Sequence, residues 1–230
     1  MTKVAVITGS NGRIGAATCR RLAQDGYLAV GVDIGAESTG NWPYYACDMT
    51  NLDHLAETFA RIEAEQGLIR VLFNNAGIYR LTASFLDVPP AQFDDVLAIN
   101  LRVPYFAAQW VARRLVAEKQ GGSIVTTASL AGQAGSSSVE YGASKAAVIN
   151  MTKSIGRHLG KYGIRVNAIA PGLIDTAMGA QVPEGARKRA LAAALGRIGT
   201  PEEIASVVAF LASDDASFIT CTTIDVNGGV

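Results

Sequence analysis

The sequence predicts an α/β fold, a doubly wound parallel sheet with helices on both faces, in one domain over residues 1–230. Three observations predict it. Short β-rich apolar runs alternate with longer stretches of helical periodicity, as strands joined by crossover helices do. The runs VAVI, VLF and SIV are continuously apolar, which suits strands covered on both faces. A glycine-rich turn, TGSNGRIG, follows the first strand and opens a helix. At 230 residues the chain is long enough to bury a sizeable core.

Each element follows from its own run. Val4–Ile7 reads as the first strand and Ile14–Gln24 as a helix ending near Gly26. Leu28–Val32 and the short Tyr44–Cys47 are strands, and Leu52–Glu65 is a helix. Val71–Phe73 continues the sheet, Gln92–Lys119 reads as one long helical region, and Ser123–Thr127 is a strand. Val139–Leu159 is a helix, Arg165–Ile169 a strand, Pro201–Ala212 a helix and Thr222–Val226 the last strand. Leu173–Gly199, with clustered Gly, Pro and Arg, interrupts the alternation; it reads as a substrate-binding lid or as a plain surface excursion. Neither a linker nor an internal repeat is visible.

Composition narrows the function classes. Apolar residues are 49% and charged residues 17% of the chain, which excludes a disordered polypeptide. Lys+Arg and Asp+Glu both total 20, so net charge favours neither nucleic acid nor an anionic membrane as partner. Near-zero charge also gives little protection against self-association. The apolar run at the N-terminus is too short for a signal peptide or a spanning helix, and a cytoplasmic location is expected. Cys19, Cys47 and Cys221 are scattered and read as reduced, mostly buried thiols. His54 and His158 lie far apart in sequence, so no metal site and no Ser-His-Asp triad are expected.

Gly9, Gly12 and Gly15 suit a turn that lets backbone approach a pyrophosphate, with the helix N-terminus facing the phosphates. That is the signature of a Rossmann-like dinucleotide site. Asp33 ends the second strand 18 residues past Gly15, where an acidic residue bonds the adenosine ribose hydroxyls. A carboxylate there repels a 2′-phosphate and favours NAD. NADP stays possible, because Arg13 could pair with such a phosphate, form an ion pair with Asp33, or be solvated.

Tyr141 and Lys145 stand four apart in EYGASKAAV and share one helix face. A free phenol has a pKa of about 10, and a nearby ammonium lowers it toward the range of a working acid–base group. Taken alone, the pair reads as readily as one packed ring and one solvated charge.

With TG near the start, NNAG at Asn74–Gly77, Tyr141-x-x-x-Lys145, and PG at Pro171–Gly172, the chain resembles the short-chain dehydrogenase/reductase family from Thr2 to Gly229. The resemblance implies Tyr141 as proton donor or acceptor, and Lys145 as a ribose ligand that lowers the Tyr141 pKa. It implies Ser129 as a hydrogen-bond partner of the substrate oxygen, and Asn100 as support for Lys145 and a proton-relay water. The implied cofactor set is Gly9, Asn11, Gly12, Arg13, Ile14 and Gly15 in the turn, with Asp33, Asp48 and Met49 on the adenosine side. Asn75, Ala76, Gly77, Tyr141, Lys145, Pro171, Gly172, Ile174 and Thr176 complete it. Asp48 would contact the adenine amino group, and Asn75 would also steady the sheet. Two departures stand out. TGxxGxxG places Arg13 where a glycine is usual and looks like the pattern of the extended branch of the family. Cys221 also replaces a usual glycine, and a tail ending at Val230 is not expected to reach a neighbouring subunit's site.

The short segment before Asp48, the compact lid and the FLASD stretch resemble dehydrogenases of small cyclic diols, with sugar and sugar-acid dehydrogenases close behind. Arg80, Arg102, Gln133 and Glu140 lie near motif residues, as substrate contacts or as surface and packing residues. Three functions are therefore weighed. The first is an NAD-linked oxidoreductase of a small polar or cyclic secondary alcohol. The second is an NADPH-linked reductase of the 3-oxoacyl type, and the third a dinucleotide-binding sensor without turnover. The complete Asn100–Ser129–Tyr141–Lys145 set argues against the sensor. The long helices Phe93–Lys119 and Val139–Leu159 carry many small residues, as in family members that pair them, so a homodimer or homotetramer is expected.

Overall fold

The computed structural model describes residues 2–81 and 84–230. Among these, seven strands form one parallel sheet: β1 (Val4–Thr8), β2 (Leu28–Asp33), β3 (Tyr44–Ala46), β4 (Ile69–Asn74), β5 (Gly122–Thr127), β6 (Ile164–Pro171) and β7 (Thr223–Val226). Their order is β3-β2-β1-β4-β5-β6-β7, so the chain reverses direction of growth between β1 and β4. Side chains alternate across the sheet. Val4 and Val6 of β1 pack with Phe59 of α2 (Leu52–Gln66) and Val111 of α4 (Val103–Ala117). Ala5 and Ile7 pack on the other face with Leu22 of α1 (Arg13–Gln24) and Val208 of α8 (Pro201–Ala212). Burying one such aliphatic side chain contributes roughly 1.5–3 kcal/mol. Because both faces are covered, these strands are apolar without interruption.

The region expected as one helix over residues 92–119 is broken. α3 (Pro90–Leu97) passes through a π-helical turn, Ala98–Arg102, into α4. Pro104 explains the break: it has no N–H to give the carbonyl four residues back, and the wider turn accommodates that loss. Asn100 lies inside this turn and is fully buried. A short helix, α5 (Ala131–Ala134), follows β5 and precedes α6 (Val139–Leu159).

Residues 173–199 are folded rather than a bare loop. They hold α7 (Glu184–Leu191), and their two ends meet: the Asp175 N–H donates to the Gly199 carbonyl at 2.9 Å and the Gly199 N–H to the Leu173 carbonyl at 3.0 Å. A capping box between Thr200 and Glu203 then starts α8. Cys221, where a glycine was expected by resemblance, has φ 61°, a left-handed conformation that glycine adopts without strain. Its thiol packs against Gly156 of α6.

Candidate active site

The glycine turn, Asp33, Asn75–Gly77, Ser129 and Pro171–Gly172 sit at or just beyond the carboxyl ends of β1, β2, β4, β5 and β6, while Asn100 comes from the π-turn before α4 and Tyr141 and Lys145 from α6. In open α/β sheets ligands bind at that edge, at the point where strand order reverses. The turn after β1 is closely packed. Gly9 has φ 67°, and a Cβ there would lie 2.9 Å from the Ala76 Cα, while a Cβ on Gly15 would collide with the Gly9 carbonyl. Asn75 ties this turn to the end of β1, donating from its side-chain amide to the carbonyls of Thr8 (3.2 Å) and Gly9 (3.3 Å). The Thr8 hydroxyl receives the N–H groups of Asn75 (3.0 Å) and Ala76 (3.1 Å).

Asp33 faces the turn. Its carboxylate accepts the Asn11 N–H at 2.9 Å and the Ile34 N–H at 2.7 Å. Arg13 does not pair with it. The guanidinium reaches instead across to Asp175 on the segment after β6, at 2.8 Å. Arg13 is the first residue of α1, on the side of the turn that faces Asp175. Asp48 accepts the Thr50 N–H (3.0 Å) and hydroxyl (2.7 Å), and these bonds hold its carboxyl below the usual range. Met49 beside it is buried.

Tyr141 and Lys145 share one face of α6, as their spacing requires. The Lys145 nitrogen lies 5.8 Å from the centre of the Tyr141 ring and donates to the Thr127 carbonyl at 2.7 Å. Lys145 is only 4% exposed, and burial pulls its ammonium down to about 8. Burial likewise pushes the Tyr141 phenol up; a hydrogen bond with the Ser129 side chain works the other way, and Tyr79 adds to the rise. Among the protein's own groups the lowering of the phenol, assigned by resemblance to Lys145, comes from Ser129, and loss of hydration outweighs it.

Asn100 does not touch Lys145 directly. Its side chain accepts the Ile78 N–H (2.8 Å) and donates to the Ile78 carbonyl (2.9 Å) and to Ser144 (3.2 Å). Ser144 donates in turn to the Tyr141 carbonyl at 2.7 Å. Asn100 and Lys145 come together over Gly77, where a Cβ would stand 3.2 Å from the Asn100 oxygen and 3.6 Å from the Lys145 nitrogen. The Ser129 hydroxyl accepts the Ala131 N–H at 3.1 Å at the start of α5. At the end of β6, the Pro171 carbonyl accepts the Leu130 N–H at 3.1 Å and Gly172 packs on Asn227, where a Cβ would meet the Cα at 2.9 Å. Ile174 is buried, and the Thr176 hydroxyl accepts the Gly179 N–H at 2.9 Å.

Three contacts were not read from the sequence. Tyr79 meets Tyr141 edge to face at 5.3 Å between ring centres. Thr127 holds Lys145 through its carbonyl, which no side-chain motif announces. Ser144 links Asn100 to the helix of Tyr141; its position three residues after Tyr141 was the one available clue. Of the four further candidates, Arg80 is exposed, Arg102 donates to the Thr50 carbonyl (3.2 Å), and Gln133 donates to Asp225 (2.8 Å). Glu140 is buried and accepts the Gln92 amide at 2.7 Å.

These groups fit a dinucleotide. Packing about the turn leaves a side of Gly12 where a Cβ would meet only the Gly9 carbonyl, at 3.3 Å. Each Asp33 oxygen retains acceptor capacity, and the Lys145 ammonium has two hydrogens beyond the one given to Thr127. Among the described residues no cluster of His, Cys, Asp and Glu is suited to a metal ion, and no helix is long and apolar enough to cross a membrane.

Comparison with known proteins agrees with this geometry. A family model described as enoyl-(acyl carrier protein) reductase matches residues 9–230. The chain is 38% identical over 241 residues to a 3-oxoacyl-(acyl-carrier-protein) reductase of Thermotoga maritima, covering 99% of this chain and 97% of that protein. It is also 38% identical over 241 residues to an acetoacetyl-CoA reductase of Rhizobium meliloti, covering 100% and 98%. Among solved structures, levodione reductase superposes with a TM-score of 0.91 at 30% identity, over 98% of this chain and 96% of that one.

Proposed function

We propose a function from one premise: the chain belongs to the short-chain dehydrogenase/reductase family, whose members are oxidoreductases using NAD(P) on CH–OH or keto groups. On that premise we infer an NAD(H)-linked enzyme that interconverts a secondary alcohol and a ketone on a small polar or cyclic substrate. The observation that carries the reading is one constellation. A half-buried phenol (Tyr141), a hydroxyl (Ser129) and a buried ammonium (Lys145) converge beside a glycine turn suited to a dinucleotide.

The nicotinamide, when bound, supplies or accepts the hydride. The protein's own groups do the rest. Tyr141 carries the proton that the substrate oxygen gains or loses, and the Ser129 hydroxyl orients that oxygen. Lys145 holds the nicotinamide ribose with the hydrogens left free by Thr127. An ordinary phenol is already protonated at neutral pH, and burial raises Tyr141 further, so it stands in the form that donates to a forming alkoxide. Asn100, through Ser144 and Ile78, fixes the start of α6 on the strand edge.

Two features support NAD over NADP. The Asp33 carboxylate is held by two backbone amides at the end of β2, and Arg13 is drawn away to Asp175. A second reading, an NADPH-linked reductase of the 3-oxoacyl type, is favoured by the names of the Thermotoga and Rhizobium relatives. Titrating NADH and NADPH, and then assaying cyclic diols, sugars, hydroxy acids and an acetoacetyl thioester, separates the two. Tighter NADH and turnover of a diol or sugar are expected. Tighter NADPH with turnover of the thioester alone would select the second reading. For assembly, the apolar groove between α4 and α6, bordered by Tyr105, Ala112, Val116, Ile155 and Leu159, supports a homodimer or homotetramer.

A further inference from the structure

We propose that Asn11 is a positioning residue for cofactor selectivity, fastening the loop of residues 35–39 beside the Asp33 carboxylate so that the two form one rigid ribose-binding edge. The inference rests on the NAD reading above and names a residue through which it acts.

The observation is the saturation of one side chain. Asn11 is the third residue of the turn after β1, and its side-chain amide bonds to Glu37, Thr39 and Tyr44. Its Nδ2 donates to the Glu37 carbonyl at 2.9 Å and to the Tyr44 hydroxyl at 3.3 Å. Its Oδ1 accepts the Thr39 N–H at 3.0 Å and the Thr39 hydroxyl at 3.3 Å. An asparagine amide has two donors and two lone pairs, and all four are used. The pattern also fixes the amide's orientation, since the Glu37 carbonyl can only accept and the Thr39 N–H can only donate. The seat is cut to size: a Cβ on Gly35 would lie 3.1 Å from Asn11 Nδ2.

The same residue reaches Asp33 through its backbone N–H at 2.9 Å, so one residue spans the carboxylate and the loop beside it. Tyr44 completes the clasp from β3, its hydroxyl donating to the Gly35 carbonyl. Residues 35–39 have neither strand nor helix to hold them, so side-chain tethers decide where they lie. Held in place by bonds such as that to the Glu37 carbonyl, the loop closes the space beside Asp33. A ribose with free hydroxyls finds acceptors there. A 2′-phosphate meets like charge and a wall that does not yield. With the tethers gone, the loop moves aside and the carboxylate can turn away from the phosphate.

The test is direct binding of NADH and NADPH, followed by fluorescence, to the wild type, Asn11→Ala and Tyr44→Phe, with melting temperatures of each. In Asn11→Ala the NADPH-to-NADH Kd ratio is expected to fall roughly fivefold to tenfold, as lost hydrogen bonds at a charged site would give. Tyr44→Phe, which keeps the Thr39 and Glu37 tethers, is expected to shift the ratio the same way by less. Equal weakening of both cofactors with a lowered melting temperature would mean a structural role only and would overturn the proposal. Should Asn11→Ala fail to fold, an unchanged ratio in Tyr44→Phe overturns it alone. A wild type that binds NADPH more tightly overturns the NAD reading and this inference with it. A wild-type NADH preference retained in full by Asn11→Ala removes the role of Asn11 and leaves the NAD reading standing.

Discussion

Lys145 carries a charge into a place where water scarcely reaches. It is 4% exposed, and burial pulls its pKa from 10.5 to about 8. The sign of the consequence follows from linkage. Between pH 8 and 10.5 the unfolded chain binds more protons at this group than the folded chain, so folding stability rises with pH across that window. Below it the folded state bears a penalty on the order of 3 kcal/mol. Lys145→Met is expected to abolish that rise, so its stability relative to wild type declines as pH increases from 8 to 10. Any cost of leaving the Thr127 carbonyl unbonded is independent of pH and does not mask the slope. Parallel urea titrations over this range check it, and parallel wild-type and variant curves would contradict it. Lys145, Tyr141, Asn100 and Ser129 were legible in the sequence because helix spacing and motif order place them. Tyr79 and the Thr127 carbonyl were not, because a ring edge and a main-chain acceptor acquire their roles only when β4 and β5 meet α6 in three dimensions.

The first turn of α1 and the start of residues 173–199 face each other across the strand edge, and Arg13 with Asp175 joins them. Both side chains are more than half exposed, so the pair is worth no more than about 1 kcal/mol. On the NAD reading proposed above, Arg13 stays with Asp175 and does not read a 2′-phosphate. Arg13→Ala is therefore expected to change the NADPH-to-NADH Kd ratio by no more than about twofold. A selective loss of NADPH binding of roughly tenfold would reverse that assignment. The sequence left three partners open for Arg13, and none was Asp175, because the two are 162 positions apart and only the fold of residues 173–199 brings them together. The break between α3 and α4 is the other element-level lesson. Pro104 was visible, yet helical periodicity continued through it, and a π-turn can preserve periodicity while shifting phase.

The parallel sheet and its two covered faces were readable from alternation and apolar runs alone, since a parallel sheet needs crossovers and burial on both sides. Assembly was not, because the small residues of α4 and α6 serve helix–sheet packing as well as helix pairing. The groove between those helices leaves Tyr105 42% exposed beside apolar neighbours. Light scattering is expected to give two or four times the 24.0 kDa chain mass, and a monomer would contradict the pairing. On the proposed function, what the whole fold delivers to its carboxyl edge is Tyr141 as a proton carrier beside a dinucleotide site. The measurement that bears on this most directly is turnover by Tyr141→Phe together with its affinity for NADH. Removing one oxygen is expected to lower kcat by about 10²–10⁴-fold while the NADH Kd stays close to wild type. A Tyr141→Phe protein that turns over at the wild-type rate would contradict the account.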